Sequence, residues 1–208
     1  MRSNEKLDDS HKWSELKGSD WCELLLKQPE LADKCDWEKL NGFDWSLLLK
    51  VQSQFANRCP WEKFEGRDWS LLLSTEPQFA DRCPWETLRG SDWISLLRYQ
   101  PQFADHCPWE KLHANNWAMM LTYNPQYSDK CPWEKFCAAE WLVLLKHYPP
   151  SADHCPWEQF KGFHWDLMLS EQPQFASRCR WEKLSASDWD SLLEKQPQFA
   201  KFRKSRSK

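Results

Sequence analysis

An all-α solenoid of eight 24-residue units is the fold that three features of this 208-residue sequence predict. Cysteines stand at positions 35, 59, 83, 107, 131, 155 and 179, each 24 residues after the last. All sixteen tryptophans lie in two columns with that same period, one two places after each cysteine position and one eight further on. No stretch alternates apolar and polar residues with period two, as a half-buried strand does. Self-similarity at a fixed period of about 20–50 residues marks a repeat array, in which each unit covers its neighbour's apolar face.

The period divides the chain into units 11–34, 35–58, 59–82, 83–106, 107–130, 131–154, 155–178 and 179–202. A polar extension, 1–10, precedes them and a basic tail, 203–208, follows. The first unit carries His11 in the cysteine place and Lys12 in the proline place, and the last runs on without a further Cys-Pro-Trp. Atypical terminal units are what capping of a repeat array requires.

The unit 59–82 shows how the elements follow one another. Asp68, Trp69, Leu72 and Leu73 predict a helix with one apolar face, Asp68 serving as its N-cap. Pro77 ends that helix and opens a second, short one through Gln78, Phe79, Ala80, Asp81 and Arg82. A third short element starts at the Cys-Pro-Trp step, with proline at its first position, glutamate at its third and glycine or alanine closing it. Pieces this short adopt 3₁₀ geometry in part. Burying about 200 Å² per indole at ~25 cal/mol/Å² is worth ~5 kcal/mol, which explains two tryptophans in so thin a unit.

The common text Cys-Pro-Trp-Glu-Lys-Leu, followed by Asp-Trp-Ser and Gln-Pro-Gln-Phe-Ala, resembles the tryptophan-rich tandem 24-residue repeats of bacterial proteins. That resemblance covers 11–202 and implies no particular activity. In period and layout the unit is also similar to the leucine-rich-repeat variant, which alternates α- and 3₁₀-helices in a superhelix.

Composition narrows the function classes. Hydrophobic residues at 41% and aromatics at 15% exclude a disordered tail protein. The 28 basic and 31 acidic side chains balance to −3, with no basic stripe to favour nucleic acid or anionic lipid. Aliphatic runs such as Leu24–Leu26 are too short to span a membrane, and MRSNEKLDDS has no apolar stretch to act as a secretory signal.

Seven cysteines form one column, and residues one unit apart on packed helices lie about 8–10 Å from each other, beyond disulfide reach and too far for a zinc site. Cys22 and Cys137 fall in no Cys-x-x-Cys spacing. Nine free thiols point to a reducing compartment, the cytoplasm. The repeated glutamates (Glu38 to Glu182) and aspartates (Asp20, Asp44, Asp68, Asp92, Asp188) stand at helix starts, where capping accounts for them. No unique catalytic constellation, metal set or cofactor motif emerges, and an enzyme is not expected.

Five of six histidines and all four tyrosines lie between 99 and 164, where the aspartate column changes to Asn116, Glu140 and His164 and the glycine column to Ala114 and Ala138. Drift and specialisation both produce such a pattern. Tyr99, Tyr123 and His147 occupy one column in successive units, at the margin of the apolar helix face. They are the candidate partner-binding residues, suited to an extended peptide or a partner helix. The expected function is therefore a non-catalytic scaffold for protein–protein interaction. Its alternatives are a structural element that self-associates end to end, and a carbohydrate or nucleic-acid binder using exposed tryptophan. If the thiols are free, neither a reductant nor a chelator shifts the melting curve; a clear fall in Tm with either reagent contradicts that reading.

Overall fold

The computed structural model describes residues 13–204. The extension 1–10, the His11–Lys12 step of the first unit and tail residues 205–208 lie outside the described residues. The chain forms two compact units, Met1–Cys107 and Pro108–Lys208, divided one residue past a repeat boundary. The first contains α1 (Gly18–Lys27), α2 (Gly42–Leu49), α3 (Gly66–Leu73) and α4 (Gly90–Tyr99). The second contains α5 (Ala114–Tyr123), α6 (Ala138–His147), α7 (Gly162–Glu171), α8 (Ala186–Lys195) and a short α9 (Ala200–Lys204). Two 3₁₀ segments follow each of α1–α7, as Pro77–Arg82 and Trp85–Thr87 follow α3. No strand occurs among the described residues. Within the compact units α1 to α4 and α5 to α8 each pack on the next in sequence, so the fold is an all-α repeat solenoid.

Helix starts differ in detail from the sequence expectation. Asp68 is not the N-cap of α3: the helix begins three residues earlier, Glu65 is the N-cap, and Asp68 is the third helical residue. Its carboxylate accepts the Glu65 backbone N–H at 3.0 Å, the half of a capping box that binds the N-cap amide. Glycine does not close the third element either. It is the first residue of the α-helix, at Gly42, Gly66 and Gly162. The third element itself is a single 3₁₀ turn, Trp61–Lys63, with Pro60 at its N-cap and Glu62 second.

Each repeat holds an aromatic cluster of its own. The two tryptophans eight residues apart stack in all eight repeats, with ring centroids 5.1–5.7 Å apart and planes within 14–26°. The helical partner of each pair, such as Trp69, is at most 3% exposed. The other, such as Trp61, is half-buried rather than core. Phe79 covers Trp61 from the second 3₁₀ segment at 5.4 Å, and Phe64 tilts against Trp69 at 4.9 Å. On its outer side Trp61 meets the Arg82 guanidinium 5.1 Å from the ring centroid, and Trp37 meets Arg58 at 5.4 Å. Such cation–π contacts are worth ~0.5–1 kcal/mol at exposed sites. The indole N–H groups from Trp21 through Trp165 in the helical column find no acceptor among the described residues. Each such group costs ~1–3 kcal/mol, offset by burial of the ring.

Polar ties join one repeat to the next. Lys63 Nζ donates to the carbonyl oxygens of Glu38 and Leu40 at 3.0 and 3.3 Å, and Lys39 and Lys183 do the same one repeat back from themselves. Gln100 donates to Ser74 O at 2.8 Å and Gln196 to Ser170 O at 2.9 Å, across 26 residues in each case. The glycine column is set by close approach: a Cβ on Gly42 would collide with the Asp68 carboxylate and stand 2.6 Å from Lys63 O. Gly18, Gly66 and Gly162 face Asp44, Asp92 and Asp188 in the same way. Where the following repeat carries Glu140 or His164 instead of aspartate, the preceding helix starts with Ala114 or Ala138. Gly42→Ala should therefore destabilise the first compact unit by ~1–3 kcal/mol, as overpacking does. Chemical denaturation measures this, and a loss below about 0.5 kcal/mol would show that the contact relaxes freely.

Candidate functional site

The residues that interrupt the repeat between 99 and 164 separate into two groups once their surroundings are known. Most take over a structural task. Tyr127 is buried against Trp109 at 4.9 Å, in the place of Phe79. His106 and His154 stack on Trp85 and Trp133 at 4.3 and 4.4 Å, in the place of Arg82. Asn116, Glu140 and His164 each accept the N-cap backbone N–H of their helix, at 3.3, 2.9 and 3.0 Å, as the aspartates do elsewhere. The requirement at that column is an acceptor, which all three side chains supply. His113 is an exposed N-cap residue and Tyr148 a half-buried C-cap.

The second group is Tyr99, Tyr123 and His147, all exposed. Tyr99 ends α4 in the first compact unit, 62% exposed, with the Arg98 guanidinium 5.6 Å from its ring centroid. Tyr123 and His147 end α5 and α6 in the second. Thr122 Oγ1, next to Tyr123, donates to Ala118 O at 2.7 Å and across to His147 O at 3.1 Å, tying the two helix ends together. One turn earlier on the same helices stand Met119 and Val143, and Leu167 follows on α7; Met119 is 48% and Leu167 50% exposed. Sequence reading passes over these three because their column elsewhere holds Leu47, Leu71 and Ser95. The signal was the i, i+4 spacing of 119 with 123 and of 143 with 147. A cavity of about 200 Å³ opens between α6 and α7, lined by Leu142, Val143, Lys146, Leu167, Met168 and Glu171 among others. At its rim Lys146 pairs with Glu171 at 2.8 Å, and that ammonium holds the Glu171 carboxyl below its ordinary range.

The remaining candidates for chemistry are quiet. All nine cysteines are free. Burial pushes the thiols of Cys35, Cys59, Cys83, Cys131, Cys155 and Cys179 up to about 12, so they stay protonated at neutral pH and are poor nucleophiles. Cys22 donates its thiol to Asp44 O at 3.2 Å, and Cys137 is an exposed N-cap residue. Among the described residues no group of three His, Cys, Asp or Glu side chains is placed to hold a metal ion, and no helix is long and apolar enough to cross a membrane. The glutamate column is exposed, in the first turn of the 3₁₀ segments. Neither protein-family models, curated proteins nor solved structures give a match to this chain, so its resemblance to tryptophan-rich repeats rests on the motif alone.

His164 gives the site region a pH dependence. Burial, and secondarily Lys161, holds its imidazole below the ordinary histidine pKa, and Nδ1 is the acceptor in the Lys161 amide bond. The neutral ring is thus the folded form. Its contribution is complete above the unfolded value of about 6.5 and is lost as pH falls through the lower folded value. Thermal melts between neutral pH and about pH 5 should show a falling Tm, with a shallower fall in His164→Asn, whose amide keeps an acceptor as Asn116 does. Equal slopes in the two proteins would remove His164 as the cause.

Proposed function

We propose that this chain is a non-catalytic scaffold that binds a protein or peptide partner, with Tyr99, Tyr123 and His147 among its contact residues. The observation that carries the reading is the exposed row Met119, Tyr123, His147 and Leu167, with half-buried Val143 among them, on α5, α6 and α7. Solenoids present such rows as extended binding surfaces. Tyrosine and histidine bring apolar area with a polar tip and few rotatable bonds to order, and the Lys146–Glu171 pair supplies a polar rim. The free thiols, buried and protonated in the main, fit a reducing compartment, and the cytoplasm is the proposed location.

The alternatives draw less support. A tryptophan platform for sugars or bases needs open indole faces, whereas one column here is buried and the other is half-buried, most of its rings flanked by an aromatic or cationic side chain of the same repeat. End-to-end assembly needs apolar ends. A groove of about 310 Å³ beside α1 includes Trp13, Leu16 and Leu24, but α8 presents Ser187, Asp190, Glu194 and Lys195, and Phe202 covers Trp181 at 4.5 Å.

With a partner identified by affinity capture, Tyr123→Ala combined with His147→Ala should weaken binding at least tenfold, ~1.4 kcal/mol, while Tm stays nearly fixed. Tyr99→Ala, in the first compact unit, tests the third residue separately. Unchanged binding in both proteins would exclude this surface, and a large loss of Tm would reassign the residues to the fold.

A further inference from the structure

A groove in the first compact unit is explained by neither stacking nor capping. It encloses about 620 Å³ between the start of α3 and the chain entering α4, and its lining includes Phe64, Gly66, Arg67, Thr87, Arg89 and Asp92. The repeat itself shows what belongs there. At three equivalent junctions a lysine ammonium bridges two main-chain carbonyls, 25 and 23 residues before it: Lys39 on Ser14 and Leu16, Lys63 on Glu38 and Leu40, Lys183 on Glu158 and Phe160, at 2.6–3.3 Å. Thr87 occupies this position beside the groove, and its hydroxyl turns back to Pro84 O at 2.8 Å. The carbonyls that a lysine at 87 would bridge are those of Glu62 and Phe64, and no donor among the described residues reaches either one. Lys111, Lys135 and Gln159, at the same place in the second compact unit, are exposed instead.

We propose that this groove binds a primary alkylammonium group, whose N–H bonds go to Glu62 O and Phe64 O as those of the sibling lysines go to their carbonyls. Acidic and basic side chains balance around the groove, so the two carbonyls carry the recognition. Glu65 and Asp92 line the groove, and Glu62 corresponds to Glu38, which pairs with the Lys63 ammonium at 3.5 Å. Arg89 lines the groove as well, and the other guanidinium there, that of Arg67, is engaged by Glu65 at 3.5 Å and Asp68 at 3.7 Å. A free diamine and a lysine side chain on another protein carry the same recognised group. The site is independent of the α5–α7 surface, and its failure would leave that reading untouched.

Amide NMR of the full chain titrated with 1,5-diaminopentane and, separately, with Nα-acetyl-lysine methylamide tests the proposal and ranks the two sources. Saturable shifts are expected at Gly66, Arg67 and Thr87 with at least one of these amines. Tetramethylammonium, which has no N–H, should produce none. Thr87→Lys carries its own ammonium into the groove and should weaken the response at least tenfold, while Lys63→Thr should open a second responsive site at Glu38–Leu40. Lysine and threonine each stand at this position in the wild-type repeats, so both variants are compatible with the fold. No saturable shift at tens of millimolar, an equal response to tetramethylammonium, the same shifts with inorganic phosphate, or an unaltered response in Thr87→Lys would each overturn the assignment.

Discussion

The stacked tryptophan pair inside every repeat is the contact on which the rest of this structure depends. Trp61 and Trp69 come from different elements, a single 3₁₀ turn and an α-helix, and their parallel rings fix the angle between the two. Phe79 then closes the pair from the Pro77–Arg82 segment. Aromatic pairs of this geometry add ~0.5–1.5 kcal/mol beyond the area they bury. A 24-residue unit thereby acquires a small core of its own, where the period alone suggested that burial would come only from stacking on neighbours. The arrangement leaves one face of the outer indole open, and that face dictates the next column, filled by Arg58, Arg82, His106, His154 or Phe202. Each is flat or cationic, which is what an aromatic face accepts.

Between repeats the constraint is different in kind. The ties that span 23–26 residues are hydrogen bonds from long side chains to main-chain carbonyls, and they lock the register rather than supply bulk burial. A carboxylate does two things at once at each of these junctions. Asp68 binds the Glu65 amide that opens its own helix and packs against Gly42 of the repeat before. Enlarging the acceptor, as in Glu140 or His164, goes with an alanine in place of that glycine, so the two columns change together as one packing unit. Coupling of this sort explains why the spacing holds without insertion along 11–202.

These rules also separate structural variation from surface. His106, Tyr127, His154 and His164 each satisfy the geometric demand of their column, so a concentration of histidine and tyrosine is not by itself a binding signal. Tyr99, Tyr123 and His147 meet no such demand and remain exposed, in a column filled elsewhere by Val51, Thr75 and Glu171. Thr87 is informative for the opposite reason: Lys39, Lys63 and Lys183 in its column bridge two carbonyls, which a threonine is too short to do.

By itself the sequence determined the class of fold, the 24-residue unit, the three helical elements in each and the burial of the helical tryptophans, because periodic burial writes directly into residue type. It also marked Tyr99, Tyr123 and His147, since a column free of packing constraint varies visibly. Only the tertiary structure decided where the α-helices start, because a capping aspartate serves equally well at the N-cap or three residues inside, and which holds depends on the approach of the preceding repeat to Gly42. It decided, too, that Met119 and Leu167 join the exposed row with Val143 half-buried between them, since the same column elsewhere holds similar residues and only the packing of α5, α6 and α7 sets how far each is covered. The Lys63 bridge and the groove beside Thr87 were illegible for a related reason: a lysine's carbonyl partners lie on the main chain of another repeat, which no residue type records.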